Sequence, residues 1–306
     1  MYVRTEVQIA NLKFKNPLVL ASGILGNAAS LLIRAERHGA GAVTSKSITK
    51  EPRKGFENPV VVELNYGLIN AIGLSNPGID EFEKEIKIAK QFLSVPLIVS
   101  VAGKSIEEYV YVAKRAVDAG ADAIELNLSC PHVKGLGLDI GQDPSLVQEI
   151  VHEVKNSISL PVFAKLSPNV NNIVEIGRAA VEGGADALIA INTIRAMAID
   201  IYHKKPILSN RYGGLSGPAI HPIAVRCVFE LYEEMEDVPI IGMGGVTTWE
   251  DAIELMLAGA SAVGIGTAIY LKGFKVFKDL LNGMIRYSLR EGLEALSDLI
   301  GLAHRS

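Results

Sequence analysis

The sequence predicts an α/β fold of the (β/α)8 type, a TIM barrel with an N-terminal β-hairpin and an extra C-terminal helix. Two alternating punctuation marks carry that prediction. A Pro opens an apolar run at Asn16-Pro-Leu-Val-Leu-Ala, Val95-Pro-Leu-Ile-Val-Ser, Leu160-Pro-Val-Phe-Ala-Lys and Val238-Pro-Ile-Ile-Gly-Met. Between these, a helical pattern ends in Gly and runs straight into a strand at Gly39-Ala-Gly-Ala-Val, Gly120-Ala-Asp-Ala-Ile, Gly184-Ala-Asp-Ala-Leu and Gly259-Ala-Ser-Ala-Val. Pro at the first strand position costs no ladder bond, and Gly ends a helix cheaply in the left-handed conformation. Four marks of one kind interleave with four of the other, so eight short apolar strands alternate with helices, the pattern of a parallel sheet that closes on itself. A doubly wound open sheet is the weaker alternative, because no Gly-x-Gly-x-x-Gly follows the first strand.

Taken in order, residues 1–15 read as a polar-alternating hairpin turning at Asn11-Leu12 and capping one end of the barrel. Helical patterns cover 28–38, 79–93, 106–119, 144–158, 170–182, 222–236, 248–257 and 269–285, and a last helix over 288–302 would pack outside. Asp143 before Pro144, and Thr247 or Thr248 before Trp249, suit N-caps. Two connections are long, 47–77 after the second strand and 193–218 after the sixth. Loops of that length in a compact unit serve as lids or binding loops.

At 306 residues, one barrel domain over 1–306 is the expectation. A hydrophobic content of 49% with 21% charged residues suits a globular chain with a large core. The net charge of −4 argues against nucleic acid, and no apolar run is long enough for a membrane span. The start, Met1-Tyr-Val-Arg-Thr-Glu-Val-Gln, has no apolar signal core, so a cytoplasmic location is expected. The two cysteines, Cys130 and Cys227, are too few for an iron–sulfur cluster, and no metal site is expected. Cys227 lies in an amphipathic run and reads as core.

The stretch Glu125-Leu-Asn-Leu-Ser-Cys-Pro-His-Val-Lys-Gly-Leu-Gly137 carries the chemistry. It reads as a buried strand delivering an amide (Asn127), a hydroxyl (Ser129) and a thiol (Cys130) to one mouth. Pro131 cannot continue a ladder, so the chain leaves the sheet directly after the thiol. In a barrel of this kind chemistry sits at the C-terminal strand ends. Those ends carry Ser22, Lys46, Ser100, Asn127 with Cys130, Lys165, Asn192 with Thr193, Gly244-Gly245 and Gly266-Thr267. A lysine ending an apolar strand must meet an anion or lose its charge. The glycine pairs after strands seven and eight occupy the phosphate position of such barrels, on a substrate or on a cofactor such as FMN. Asn70, Asn127 and Asn192 offer paired donors and acceptors that suit a cyclic imide or amide.

The motifs Asn127-Leu-Ser-Cys-Pro131, Asn70-Ala-Ile-Gly-Leu-Ser-Asn-Pro-Gly78, Thr44-Ser-Lys-Ser-Ile-Thr-Lys-Glu-Pro-Arg53 and Gly213-Gly-Leu-Ser-Gly-Pro-Ala-Ile220 together resemble the dihydroorotate dehydrogenases from about Leu18 to Thr267. Val133-Lys-Gly and Gly141-Gln-Asp-Pro144 look like the NAD-linked class, class 1B. The resemblance implies one FMN per chain, with Lys165 toward its N1 and C2 carbonyl. It implies that Ser22, Lys46, Ser47, Ser100, Asn127, Ile191 and Gly217 line the flavin, and that Gly244, Gly245, Gly266 and Thr267 hold its phosphate. Lys46, Asn70, Ala71, Ile72, Gly73, Leu74, Asn127, Asn192 and Thr193 would bind dihydroorotate. Cys130 would take the C5 proton as the C6 hydride passes to flavin N5, yielding orotate for pyrimidine biosynthesis. It further implies a homodimer of barrels joined to an electron-transfer subunit that carries FAD and a 2Fe-2S cluster, a heterotetramer passing electrons to NAD.

The chain departs from the family pattern at His132, where Asn is common after Cys-Pro, at Ala196, where Gly is usual, and at Ser100, where related enzymes often have Asn. The rival readings are an FMN barrel acting on another pyrimidine, a phosphosugar isomerase or lyase using Lys165, and a non-catalytic ligand-binding barrel.

Overall fold

A computed structural model of the chain describes residues 3–128 and 140–305. Eight parallel strands close into a barrel in sequential order: β1 (Leu18–Leu20), β2 (Ala42–Thr44), β3 (Leu97–Val101), β4 (Ala123–Asn127), β5 (Val162–Lys165), β6 (Ala187–Ala190), β7 (Ile240–Met243) and β8 (Ala262–Ile265), with β8 returning to β1. The helices between them are α1 (Ala29–Arg37), α2 (Ile79–Phe92), α3 (Ile106–Ala119), α4 (Pro144–Ser157), α5 (Ile173–Glu182), α6 (His221–Glu234) and α7 (Trp249–Leu257).

The two sequence marks lock into each other by backbone hydrogen bonds. The third residue of each Gly-Ala-x-Ala, at 41, 122, 186 and 261, donates its N–H to the carbonyl of the residue after Pro in the preceding strand, namely Leu18, Leu97, Val162 and Ile240. Two residues further on, Val43, Ile124, Leu188 and Val263 donate to the carbonyls of Pro96, Pro161, Pro239 and Pro17 in the following strand. Every even strand thus fixes its register against both neighbours before the first pleat. Asp122 and Asp186 reinforce two of these joints. Each carboxylate accepts from the N–H after the proline (Leu97 at 2.7 Å, Val162 at 2.8 Å) and from a lysine at the end of a helix, Lys90 or Lys155.

Side chains on the same strands alternate between the helices and the barrel interior. The second alanine of each mark, at 42, 123, 187 and 262, belongs to the interior cluster, as do Val19, Ile98, Phe163 and Ile241 from the proline strands. These are layers of four drawn from alternate strands, as barrel packing requires. The alanine layer leaves room for a plug, and the hairpin Val7–Ile9 with Leu12–Phe14 supplies it through Val7, Ile9 and Phe14. Its turn passes through Ala10 and Asn11, not Asn11-Leu12, because Leu12 pairs with Ile9 and packs on the plug.

The expected caps form: Asp143 accepts from Ser145 and Leu146, and Thr248 makes a capping box with Asp251. Three expected helices differ. Helix α5 begins at Ile173 because Asn172 caps it, accepting from Val174 and Glu175. The pattern over 269–285 divides at Gly273 into α8 (Thr267–Lys272) and α9 (Val276–Arg290). The C-terminal helix expected over 288–302 is replaced by the end of α9 and two 3-10 turns, Leu296–Leu299 and Leu302–His304. Gly292 and Gly301 take positive φ there, and Arg4 bonds Glu294 and Leu296, fastening the segment to the N-terminal residues at one bridge. Cys227 is buried in the core as expected, and burial pushes its thiol up to about 11.

The two long connections pair with each other. Strands Ile194–Ala196, Gly213–Ser216, Gly67–Asn70 and Val61–Leu64 form a four-stranded antiparallel sheet in that order. It joins the loop after β2 to the loop after β6, across the C-terminal mouth. No helix among the described residues is long and apolar enough to cross a membrane.

Gly283 of α9 is buried where a Cβ would meet the ring of Trp249 on α7. Alanine gains about 1 kcal/mol in helix propensity over glycine, while overpacking costs about 1–3 kcal/mol. Gly283→Ala is therefore expected to lower the guanidinium unfolding midpoint. A midpoint above wild type would show that Trp249 yields and propensity decides.

Candidate active site

The C-terminal strand ends and the lid sheet enclose one cavity of about 1010 Å³. Of the residues singled out from the sequence, Ser22, Lys46, Ser47, Asn70, Ala71, Ile72, Gly73, Leu74, Asn127, Lys165, Ile191, Asn192, Thr193, Gly217, Gly244, Gly245, Gly266 and Thr267 all line it. Ser100 does not. It is fully buried one layer below, because it faces the interior from within β3 rather than beyond its end. Ser129, Cys130 and His132 lie outside the described residues.

A continuous polar chain runs under the cavity floor. Lys165 Nζ donates to Ser22 Oγ at 2.8 Å, and Ser22 donates to Glu125 Oε1 at 2.6 Å. Ser100 donates to the same oxygen at 2.6 Å. Ser100 has spent its one proton, so Ser47 donates to Ser100 at 2.9 Å and accepts from Asn127 Nδ2 at 3.0 Å. Asn127 Oδ1 then accepts from Asn192 Nδ2 at 3.3 Å. The acceptor-only carboxylate sets the direction of every bond in this series. It thereby fixes which way Asn127 and Asn192 present their amides, without which a ring's donors and acceptors could not be matched.

The two lysines live differently. Lys165 is 4% exposed and its Nζ lies 3.8 Å from Glu125 Oε1, a charge paired where it is buried. Lys46 is half-buried with no carboxylate partner among the described residues, and desolvation lowers its pKa from the ordinary 10.5. An unpaired, partly desolvated ammonium facing a cavity is a site for an anion.

At the opposite end the backbone forms the lining. Gly244 and Gly245 take φ of 139° and 72°, and a Cβ on Gly245 would meet His221 and the Gly217 carbonyl, so only glycine brings the chain this close. His221 Nδ1 donates to the Gly244 carbonyl at 2.9 Å, holding the turn from behind. Thr267 opens α8, and its hydroxyl donates to Ser216 of the lid at 2.8 Å. These glycines and the two lysines suit a phosphate-bearing planar ligand.

Several supports were not singled out from the sequence. Glu125 is the centre of the polar chain; a lone charge inside an apolar strand was its signal. Asn76 ties the loop after β2, accepting from Thr49 and Gly78 and donating to the Leu74 carbonyl at 2.7 Å. Asn169 does the same for the loop after β6, bonding the backbone of Thr193 and Arg195 at 2.9 and 2.8 Å. Tyr109 of α3 donates to the Asn127 carbonyl at 2.8 Å. Arg53, Phe56, Arg195 and Tyr212 also line the cavity, with Arg195 stacked over Tyr212 at 4.8 Å.

Comparison with known proteins shows the family. The family model described as dihydroorotate dehydrogenase matches residues 4–287. A protein of Pyrococcus horikoshii named dihydroorotate dehydrogenase B (NAD(+)), catalytic subunit, is 55% identical over 298 residues, covering 97% of each chain. A Thermoplasma acidophilum protein of the same name is 50% identical over 300 residues, covering 98% of this chain and 99% of that one. A crystal structure of DHODH from Eimeria tenella in complex with ferulenol superposes with a TM-score of 0.86 at 24% identity, over 99% of this chain and 89% of that one, and shares the fold. The chain therefore belongs to the dihydroorotate dehydrogenase family of oxidoreductases.

Proposed function

We propose that this chain is a class 1B catalytic subunit that oxidises dihydroorotate to orotate with one bound FMN. The observation that supports it most is the meeting of Lys46, Lys165, Asn70, Asn127 and Asn192 on one cavity that ends in the glycine cradle. Bound there, FMN supplies a two-electron acceptor for hydride. Lys165, tethered through Ser22, would meet the electron-rich N1 and C2 carbonyl edge of the flavin. Ser22, Ser47, Asn127, Ile191 and Gly217 would line the ring, and Gly244, Gly245, Gly266 and Thr267 the phosphate. Ser100 acts from below, through Ser47 and Glu125, and not by direct contact.

Lys46 pairs with the substrate carboxylate, a group that uracil-type rings lack. Asn70, Asn127, Asn192 and Thr193 orient the ring, and the Ala71-Ile-Gly-Leu74 segment covers it and excludes water. Cys130 takes the C5 proton while hydride leaves C6. An ordinary thiol has a pKa of about 8.5 and needs cationic surroundings to act as a base near neutrality. Lys46 would supply most of that field, since Lys165 already has its counter-charge in Glu125. The relatives' names carry both NAD(+) and "catalytic subunit". On that basis NAD is the final acceptor and is reached through a partner subunit; the class resemblance adds that the partner would carry FAD and a 2Fe-2S cluster and join two barrels in a cytoplasmic heterotetramer.

The visible spectrum tests the cofactor, the substrate class and the half-reaction together. The purified chain is expected to be yellow and to bleach on anaerobic addition of dihydroorotate; a colourless protein that free FMN does not restore would overturn it. Cys130→Ala should lose about 10² to 10⁴ in turnover, the usual contribution of a positioned base, with FMN still bound. Wild-type-like turnover in that variant would remove Cys130 from the mechanism. Lys46→Ala should lower kcat/KM for dihydroorotate roughly 10- to 100-fold, the worth of a charged hydrogen bond. Because burial lowers the Lys46 pKa, its charge is lost sooner as pH rises. KM should therefore climb on the alkaline side below the ordinary lysine range, and that limb should vanish in Lys46→Ala. A KM in the variant that still climbs there would assign the limb to another group.

A further inference from the structure

Beneath Lys165 lies a carboxylate that the proposed reaction does not use. Glu125 is 0% exposed, within β4, and its Oε1 accepts from both Ser22 and Ser100. Its Oε2 has no hydrogen-bond partner among the described residues. A buried carboxylate with an orphaned oxygen is a poor choice for stability, since a well-packed apolar residue does as well or better at such a position. Its surroundings point instead to the lysine. Ser22 accepts from Lys165 and donates to Glu125, so one hydroxyl couples the two charges, and their closest atoms are 3.8 Å apart.

We propose that Glu125 is a positioning residue acting through Lys165. It holds the ammonium by way of Ser22, and its negative charge offsets the lysine's positive charge, keeping a flavin bound above it at a lower reduction potential than Lys165 alone would set. This rests on the FMN reading given above. Reduction adds negative charge at the N1 and C2 carbonyl edge of a flavin, so a nearby cation favours the reduced form and a nearby anion opposes it. A lysine without a counter-charge would trap electrons on the flavin. Glu125 behind the lysine keeps the geometry of a cationic contact and moderates its field, as suits a donor that must pass electrons to a nicotinamide.

The test is the midpoint potential of bound FMN, from anaerobic dye-equilibration titration near neutral pH of the wild-type holoenzyme, Glu125→Gln and Glu125→Asp. The amide keeps an oxygen for Ser22 and Ser100, removes the charge, and places its NH2 where Oε2 had no partner among the described residues. Glu125→Gln is expected to favour the reduced flavin at least tenfold, about 30 mV for a two-electron couple, with FMN content unchanged. Glu125→Asp keeps the charge and should return most of that shift. A merely structural role predicts the reverse order, because aspartate shortens the reach to both serines. A potential in Glu125→Gln that is unchanged, or lower, overturns the proposal while leaving the FMN reading intact. A wild-type chain that binds no FMN overturns both. Should Glu125→Gln fail to fold, Glu125→Met removes the charge together with the acceptor for Ser22 and Ser100; it too is expected to favour the reduced flavin, and a potential unchanged or lower than wild type overturns the proposal.

Discussion

A proline has no N–H to place in a ladder, and the barrel depends on how that deficit is met. Each proline offers its carbonyl to the preceding even strand, and the residue after it bonds the Gly-Ala-x-Ala of the next. Because side chains alternate along a strand, a slip of one residue would turn every inward group outward. The same eight joints that fix the register therefore decide that Glu125, Asn127 and Lys165 face the interior while Ile124, Leu126 and Ala164 face the helices. The alanine layer follows from the same geometry, and with it the space that the hairpin fills.

This explains why so much of the fold was legible. The prolines and Gly-Ala-x-Ala marks are chemical requirements of the strand joints, repeated four times, so they stand out without any knowledge of tertiary structure. The tail over 288–302 was not legible, because its helical period is interrupted only by Gly292 and Gly301 and its path is fixed by bonds to Arg4, at the far end of the chain. The lid sheet was hidden for a similar reason. The turn-rich residues of 47–77 and 193–218 announce loops, while their pairing is a property of two segments some 145 residues apart and of neither alone.

The site divides in the same way. Residues at strand ends could be read off in order, since a polar group closing an apolar strand is conspicuous. Ser100 could be placed at the rim but not below it, because one pleat separates lining from support. Glu125 was visible as a charge in an apolar strand, yet its importance lies in bonds to Ser22 and Ser100, which no spacing reveals. Lys46 and Lys165 look alike in sequence and are unlike in the fold: one has its counter-charge built in, and the other awaits one from a ligand.

The lid sheet has a consequence for traffic through the mouth. Its central pair, Gly67–Asn70 with Gly213–Ser216, joins the loop that follows β2 to the loop that follows β6, strands on opposite sides of the barrel. Neither loop can swing aside as an independent flap without tearing a ladder that the other shares. The cover is a bridge anchored on both banks, which leaves the space beneath its span as the way in for a ligand, while Thr267 braces it against the cradle through Ser216.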